Sequence, residues 1–236
     1  MNRKASATVH SRYDLKVVGI VTLFATGLLV SGALRFMAVH DEDPLPIATY
    51  ATEIYIAITV LAAILLVRCG LPVMRLGFNF AFGPLRYLAL AAIGVGLIRL
   101  TGLMLEPLTE HLFGGTRDLT RFSDVAGSRS ALIKLMLLNW TVAAFGEELA
   151  FRIVLMRGIA FALRDTRTAF VLALIAQAVI FGVVHAYQGP AGIIGTTING
   201  LIFGGLTLAA RGTIWPAAIA HGANNSIGIM QLYWAA

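Results

Sequence analysis

Residues 146–152 read Gly-Glu-Glu-Leu-Ala-Phe-Arg, so that two carboxylates and a guanidinium lie inside an apolar stretch at about 131–156. Two further apolar stretches carry polar blocks, Phe-Gly-Val-Val-His at 181–185 and His-Gly-Ala-Asn-Asn at 221–225. Each ionisable group at bilayer depth costs several kcal/mol, so such residues usually face a cavity inside the protein and serve catalysis or transport. The three blocks are therefore the predicted functional site.

The composition of the whole chain indicates a membrane protein. Of its 236 residues, 58% are hydrophobic and 13% are charged, and the mean hydropathy is +0.82. Such values are typical of polytopic membrane proteins. The longest polar stretch, Thr109–Ser130, is far shorter than the roughly 50 residues of a small soluble domain. The sequence therefore predicts a single membrane domain, residues 1–236.

Seven apolar stretches are long enough to cross a bilayer as helices, and turn-forming Gly and Pro residues separate them. They lie at about 17–39, 47–67, 85–108, 131–156, 168–188, 190–210 and 214–234. This pattern predicts an all-α, polytopic transmembrane helix bundle with about seven crossings. In the sixth stretch, Gly200 and Gly204 form a Gly-x-x-x-Gly face, which predicts close helix packing.

The positions of Lys and Arg predict the orientation of the chain. Four basic residues precede the first apolar stretch, none lies at 41–44, and Arg68, Arg75 and Arg86 surround the next turn. Basic residues concentrate on the cytosolic side, so the N-terminus is predicted in the cytosol and Ala236 on the far side. Arginines of the long polar loop count against this orientation. The basic residues before the first apolar stretch are also typical of a cleavable signal peptide, but the apolar run of about 23 residues that follows favours a membrane span.

The net charge of +6 does not indicate a nucleic-acid partner. Lys and Arg lie at the ends of apolar stretches rather than in one basic stripe, as expected of topology determinants. The single cysteine, Cys69, excludes an intramolecular disulfide and a cysteine-based metal cluster. Any metal would have to be held by His, Glu and Asn side chains.

Helix geometry makes the two glutamates unequal. Glu148 and Arg152 are four residues apart with the Glu first, so Arg152 can hold Glu148 ionised. Glu147 lies about 100° round the helix without that partner, and adjacent carboxylates in a low dielectric resist double ionisation. Glu147 is therefore the predicted general base. The pair would alternatively fit a structural ion-pair network.

The two later blocks place polar groups on single helix faces. His185 shares its face with Phe181 and Gln177, and His221 shares its face with Asn225. The pair on the last helix suits either a developing oxyanion or a metal. A lone His on an apolar helix, however, is more often a packing residue whose hydrogen bonds are satisfied.

In their order and spacing the three blocks resemble the CPBP family of intramembrane proteases. This family includes the type II CAAX prenyl endopeptidases and the bacterial Abi, or bacteriocin self-immunity, proteins. Its motifs are Glu-Glu-x-x-x-Arg, Phe-x-x-x-His and His-x-x-x-Asn on separate transmembrane helices, and this chain matches all three within about residues 131–236. The resemblance implies an integral protein of a bacterial cytoplasmic membrane, with a peptide or lipidated-peptide substrate beside the lipid bilayer.

Carried over by position, the resemblance implies hydrolysis of a peptide bond by a water that Glu147 and His185 activate. It implies that His221 and Asn225 stabilise the tetrahedral oxyanion and that Glu148 supports the base. The family is commonly labelled metalloprotease, and zinc, as the first choice of divalent metal, would have Glu147, His185 and His221 as ligands. These residues form no His-Glu-x-x-His helix, and a carboxylate-activated water needs no metal. We therefore expect that no cofactor is required.

Two alternatives use the same residues. A non-catalytic relative in immunity or scaffolding would not need the complete set of Glu, His, His and Asn. A proton-coupled transporter would more often show paired broken helices in two halves, and the sequence has no such internal symmetry. An intramembrane endopeptidase is the favoured interpretation.

The predicted boundaries conflict with the predicted site. At about 1.5 Å per residue they put Glu147 near the inner membrane face and His185 about 26 Å away from it. The two residues could not meet at those depths. The site therefore requires the starts of the fourth and fifth segments to shift by about five to seven residues, so that residues 132–138 lie outside the lipid and the fifth helix starts in the cytosol. This shift is larger than the usual error of about two to four residues.

Overall fold

The computed structural model describes residues 3–72, 76–80 and 82–235, with side chains described from Leu15 onward. Two residues used to predict the orientation, Arg75 and Ala236, lie outside the described residues, as do the basic side chains that precede Leu15. Within the described part of the chain every regular element is a helix, so the predicted all-α class is confirmed.

Seven long helices follow one another along the part of the chain that the structure describes. They are α1 (Arg3–His40), α2 (Ala51–Arg68), α3 (Pro84–Phe113), α4 (residues 129–162), α5 (Arg167–Val183), α6 (Gly189–Ala209) and α7 (Trp215–Trp234). Short 3-10 helices occupy three of the connections, Pro46–Tyr50, Thr120–Val125 and Ala186–Gln188. Each of the seven predicted apolar stretches corresponds to one of these long helices.

Local sequence explains where several helices begin and end. A proline lies in the first turn of α3, α6 and α7, where its missing N–H leaves no hydrogen bond unmade. Ser128 and Thr166 cap the starts of α4 and α5 by accepting hydrogen bonds from backbone N–H groups of the first turn. Gly114 ends α3 in the left-handed conformation, with φ 72°, which a residue without Cβ adopts freely.

The outer helices carry apolar surface on the outside of the bundle. Among the described residues, four helices are long and apolar enough to cross a membrane: Leu15–His40, Pro46–Arg68, Pro84–Phe113 and Ala186–Ala209. Large side chains such as Leu23, Leu103 and Met104 are exposed, which suits a surface solvated by lipid rather than by water. Arg167–Val183 is also apolar but shorter. The bundle is therefore all-α and polytopic, and the number of seven crossings stays a prediction.

The helix α4 lies at the centre of the bundle. Seven consecutive residues, 150–156, are buried, so α4 has no face left for lipid over this part of its length. It packs against α1, α2, α5, α6 and α7. Its middle, Asn139–Glu147 and Leu149–Arg157, has π-helical hydrogen bonding, an arrangement often found at functional sites. The ionisable side chains of Glu148 and Arg152, which are fully buried, are thereby kept away from lipid.

The conflict between predicted depths is removed by the length of α4. The helix ends at Ala162 rather than at about residue 156, so Glu147 lies 15 residues, or about 22 Å, before its end. His185 lies 18 residues, or about 27 Å, after the start of α5 at Arg167. The helix α4 therefore extends past its predicted end, whereas α5 starts at Arg167, close to the predicted start at about 168. The expected shift of both starts relative to the lipid stays a prediction.

Several connections meet at one end of the bundle, which we call the His185 end. His40, the last residue of α1, donates a hydrogen bond from Nε2 to the carbonyl of Tyr187, at 3.0 Å. The N–H of Asp118, in the loop after α3, donates to the carbonyl of Gln188, at 3.1 Å. The ends of α1, α3 and α5 therefore lie at the same end of the bundle.

Glycine allows α5 and α6 to approach closely. A Cβ on Gly200 would lie only 2.9 Å from the Cα atom of Ala178, and one on Gly204 would collide with the side chain of Leu174. The amide of Gln177 uses this proximity to donate a hydrogen bond to the carbonyl of Gly200, at 2.9 Å. The close packing predicted from the Gly-x-x-x-Gly face is confirmed.

Replacement of Gly200 by Ala is expected to destabilise the protein by about 1–3 kcal/mol, the usual cost of overpacking, because backbone atoms cannot move aside easily. Gly205→Ala is the matched control on the same helix, since nothing lies within 4 Å of its added Cβ. Both variants gain the same helix propensity, so their difference isolates the packing cost. Thermal unfolding in detergent measures it, and equal melting temperatures would contradict this account of α5 and α6.

Candidate active site

Three helices bring the predicted acid and base groups together. Glu147 lies in the middle of α4, His185 directly after the end of α5, and His221 in the second turn of α7. Oε2 of Glu147 is 3.9 Å from Nε2 of His185 and 3.9 Å from Nε2 of His221. The carboxylate therefore faces two imidazole rings that come from different helices.

The hydrogen bond of His185 determines which nitrogen faces Glu147 as an acceptor. Its Nδ1 is 2.7 Å from the carbonyl oxygen of Phe181, and a carbonyl can only accept. Nδ1 therefore carries a proton, and in the neutral ring Nε2 presents a lone pair to Glu147. The phenyl ring of Phe181 also lies edge-on to His185, with ring centroids 4.7 Å apart, and fixes the imidazole plane.

His221 has the same arrangement with a carboxylate as the acceptor. Its Nδ1 is 2.8 Å from Oε1 of Glu148, so Nδ1 donates and the neutral ring directs the lone pair of Nε2 toward Glu147. Phe203 stacks on the imidazole at 4.7 Å and 15° between planes. Three acceptors thus converge, and a water between them can donate a hydrogen bond to two of the three.

The ion pair predicted between Glu148 and Arg152 is present. Nε of Arg152 is 3.0 Å from Oε2 of Glu148, and both side chains are 0% exposed. The guanidinium also lies among aromatic rings, 4.7 Å from the ring of Phe181, 5.2 Å from that of Phe203 and 5.9 Å from that of Phe151. Aromatic faces stabilise a desolvated cation, so this cage and Glu148 together hold the buried charge of Arg152.

Asn225, the remaining predicted residue, lies one turn after His221 and is half-buried. No hydrogen bond of its side chain is found among the described residues, so its amide stays available to a ligand. Asn139, which sequence reasoning missed, joins α4 to α7. Its amide donates to the carbonyl of Gly222 at 3.0 Å and to Oγ of Ser226 at 3.1 Å. A polar residue within an apolar stretch was the available signal for Asn139.

A small cavity of about 10 Å³, room for about one water, lies beside Glu147 and His185, and helices α1 and α2 form its other wall. Ser31 and Arg35 of α1 and Tyr55 of α2 line that wall. Sequence reasoning missed these three residues, because they lie in no motif and far from the three blocks along the chain. Phe151 and Phe203 were also missed, since an apolar residue in an apolar helix gives no functional signal.

Glu147, His185 and His221 are also the ligands predicted for a metal. Two imidazoles and a carboxylate are suitable zinc ligands in type. Among the described residues, however, no group of three or more His, Cys, Asp and Glu side chains is arranged closely enough to hold a metal ion. No reaction step is therefore derived through a metal, and the metal dependence of the reaction stays a prediction.

Comparison with known protein families gives a match for the second half of the chain. Residues 129–227 match the family model described as Rce1-like, "Type II CAAX prenyl endopeptidase Rce1-like". The resemblance predicted from the three sequence blocks is thereby confirmed over this range, which includes all three blocks and none of helices α1 to α3. No curated protein and no solved structure matches the chain.

Proposed function

With the match of residues 129–227 to the type II CAAX prenyl endopeptidase family as the premise, we propose that this integral membrane protein is an intramembrane endopeptidase. Its substrate would be a peptide or lipidated peptide whose scissile bond enters the bundle. The observation that carries the proposal is the Glu147 carboxylate, which faces two imidazole nitrogens at 3.9 Å beside a cavity. A buried carboxylate so placed is suited to activate a water.

In the proposed reaction, a water between Glu147 and His185 attacks the carbonyl carbon of the scissile peptide bond. Glu147 takes the proton of the water as the new C–O bond forms, and the electrons of the C=O bond move onto its oxygen. The tetrahedral oxyanion then collapses, the C–N bond breaks, and the proton passes from Glu147 to the leaving nitrogen. The C=O bond re-forms, so the products are a carboxylic acid and an amine, and a further proton transfer between them gives a carboxylate and an ammonium. A general base of this kind contributes about 10²–10⁴ to the rate.

The surrounding groups would position this base and stabilise the oxyanion. Arg152 holds Glu148, and Glu148 in turn holds the ring of His221 through Nδ1. Asn225 follows on the same face of α7 and supplies an amide donor for the oxyanion. His221 can add a second donor only as an imidazolium, because the neutral ring already gives its proton to Glu148.

The position of the cavity bears on the source of the substrate. Its lining includes Arg35, near the end of α1, and Tyr55, near the start of α2, so the cavity lies toward the His185 end of the bundle. A single crossing by α1 puts this end on the opposite side of the membrane from the N-terminus. The orientation of α1 therefore decides which compartment supplies the substrate, and the cytosolic N-terminus stays a prediction.

The proposed function is tested by incubating the purified protein in detergent with a farnesylated CAAX peptide, the same peptide without the lipid, and endogenous membrane proteins. Mass spectrometry should find cleavage products that are absent with Glu147→Ala. Equal products from the variant, or no cleavage of any of these substrates by the wild-type protein, would contradict the proposal. Comparison of the two peptides shows whether prenylation is required.

Activity is expected to survive exhaustive chelation, because a carboxylate-activated water needs no metal. Turnover measured before and after treatment with o-phenanthroline checks this expectation, with added zinc as the control. Loss of turnover that zinc restores would contradict it. Glu147, His185 and His221 would then have to be reassigned as ligands.

A further inference from the structure

The wall of the cavity formed by α4 and α5 presents acceptors toward the place of reaction. Oε2 of Glu147 and Nε2 of His185 accept there, and Nε2 of neutral His221 adds a third acceptor beside them. Acceptors can hold and deprotonate a water, but they repel the negative charge that develops on the substrate oxygen. Peptide hydrolysis also needs hydrogen-bond donors, directed at the oxyanion from a fixed position.

The opposite wall belongs to α1 and α2, and only some of its polar groups are free to donate. The hydroxyl of Ser31 is already used, since it donates to the carbonyl of Ala51 at 2.8 Å. Nη2 of Arg35 donates to Oγ1 of Thr52 at 3.4 Å, which leaves its other N–H groups and its charge beside the cavity. The hydroxyl of Tyr55 has no hydrogen-bond partner among the described residues, although it is buried.

Tyr55 is therefore an exception to the pairing of buried polar groups. Its side chain is 6% exposed and belongs to the central core, together with Leu28 of α1 and Phe151 of α4. A buried hydroxyl without a partner is destabilising, and most buried polar groups in proteins are paired. The position of Tyr55 beside Glu147 and His185 offers a reason for this cost, since a bound substrate would supply the missing acceptor.

We propose that Tyr55 is a further catalytic residue, whose hydroxyl donates a hydrogen bond to the oxyanion of the tetrahedral intermediate. The inference rests on the proposed endopeptidase function. Tyr55 keeps its proton throughout, so the reaction stays balanced as written above, and the nearby charge of Arg35 favours the same oxyanion. The first two helices, which lie outside the matched range 129–227, thereby complete the active site from the side opposite the acceptors.

The test compares Tyr55→Phe with the wild-type protein on the peptide that the wild-type protein cleaves. Loss of one oxyanion donor is expected to lower kcat by about 10²–10³-fold, with little change in KM. The melting temperature should stay the same or rise, because the variant removes only an unpaired buried hydroxyl. Tyr50→Phe, whose side chain is 60% exposed just before α2, is the matched control and should leave kcat unchanged.

A second measurement separates a catalytic role from a structural one. A phosphinate analogue of the cleaved peptide carries a tetrahedral oxyanion, so Tyr55→Phe should weaken its binding about as much as it lowers kcat. Full activity of Tyr55→Phe beside an inactive Glu147→Gln would overturn this inference and leave the proposed function standing. The inference would also be overturned if kcat and the melting temperature of Tyr55→Phe fell together while the variant bound the analogue as tightly as the wild-type protein does. If the wild-type protein cleaves no peptide, the proposed function itself fails.

Discussion

Glu147→Gln is expected to lower kcat by at least about 10²–10⁴-fold, which is the usual contribution of a general base. The amide keeps the size of the side chain, but it cannot take a proton from water. Folding should be preserved, because Glu147 forms no close ion pair and its side chain is 12% exposed at the cavity. Turnover and melting temperature, both measured in detergent, check the expectation.

Glu110→Gln provides the matched control for this substitution. Glu110 is an exposed carboxylate near the end of α3, so its replacement makes the same chemical change away from the cavity. Its turnover should equal that of the wild-type protein. Should Glu147→Gln remain active while Glu148→Gln is inactive and fully stable, the assignment is reversed and Glu148 is the base.

Glu148→Gln is expected to destabilise the protein by about 3–5 kcal/mol, because it leaves the charge of Arg152 buried without its carboxylate partner. Both side chains are 0% exposed, so water cannot replace the lost partner. The aromatic cage remains and offsets only part of this cost. Lower yield and a lower melting temperature should therefore accompany the loss of activity, in contrast to Glu147→Gln.

The double variant Glu148→Gln, Arg152→Met tests the cause of this destabilisation. It removes the unpaired charge and places a flexible thioether among the three phenylalanine rings, a favourable environment for methionine. We expect it to be more stable than Glu148→Gln alone, with a coupling of the two substitutions that a double-mutant cycle measures. If the destabilisation of the double variant equals the sum of those of Glu148→Gln and Arg152→Met, the ion pair does not stabilise α4.

Local sequence predicted the helices better than it predicted their ends. The seven apolar stretches all form helices, because length and apolar content are local properties. The end of α4 was wrong by several residues. The predicted stretch stops before Arg157 and Gly158, yet Gly158–Ala162 continues the helix, and Ala160 is buried there against α5. Tertiary packing thus outweighs the low helix propensity of Gly158.

The Glu, Arg, His and Asn residues of the motifs could be found from the sequence because each is a polar group in an apolar stretch. Such a group is costly in lipid, so its presence alone indicates a site. Spacing also predicted the pair of Glu148 and Arg152, since residues four apart on a helix are neighbours. It could not predict that Glu148 also holds His221, because 73 residues separate the two along the chain.

The sequence by itself determined the class of the fold, the residues able to carry chemistry and the unequal roles proposed for the two glutamates. These depend on hydropathy and on helix periodicity, which are properties of neighbouring residues. Only the tertiary structure decided which nitrogen of each His faces Glu147, and that Tyr55 and Arg35 of the first two helices line the same cavity. The reason is physical: such contacts join helices distant along the chain, and no local pattern records how those helices pack.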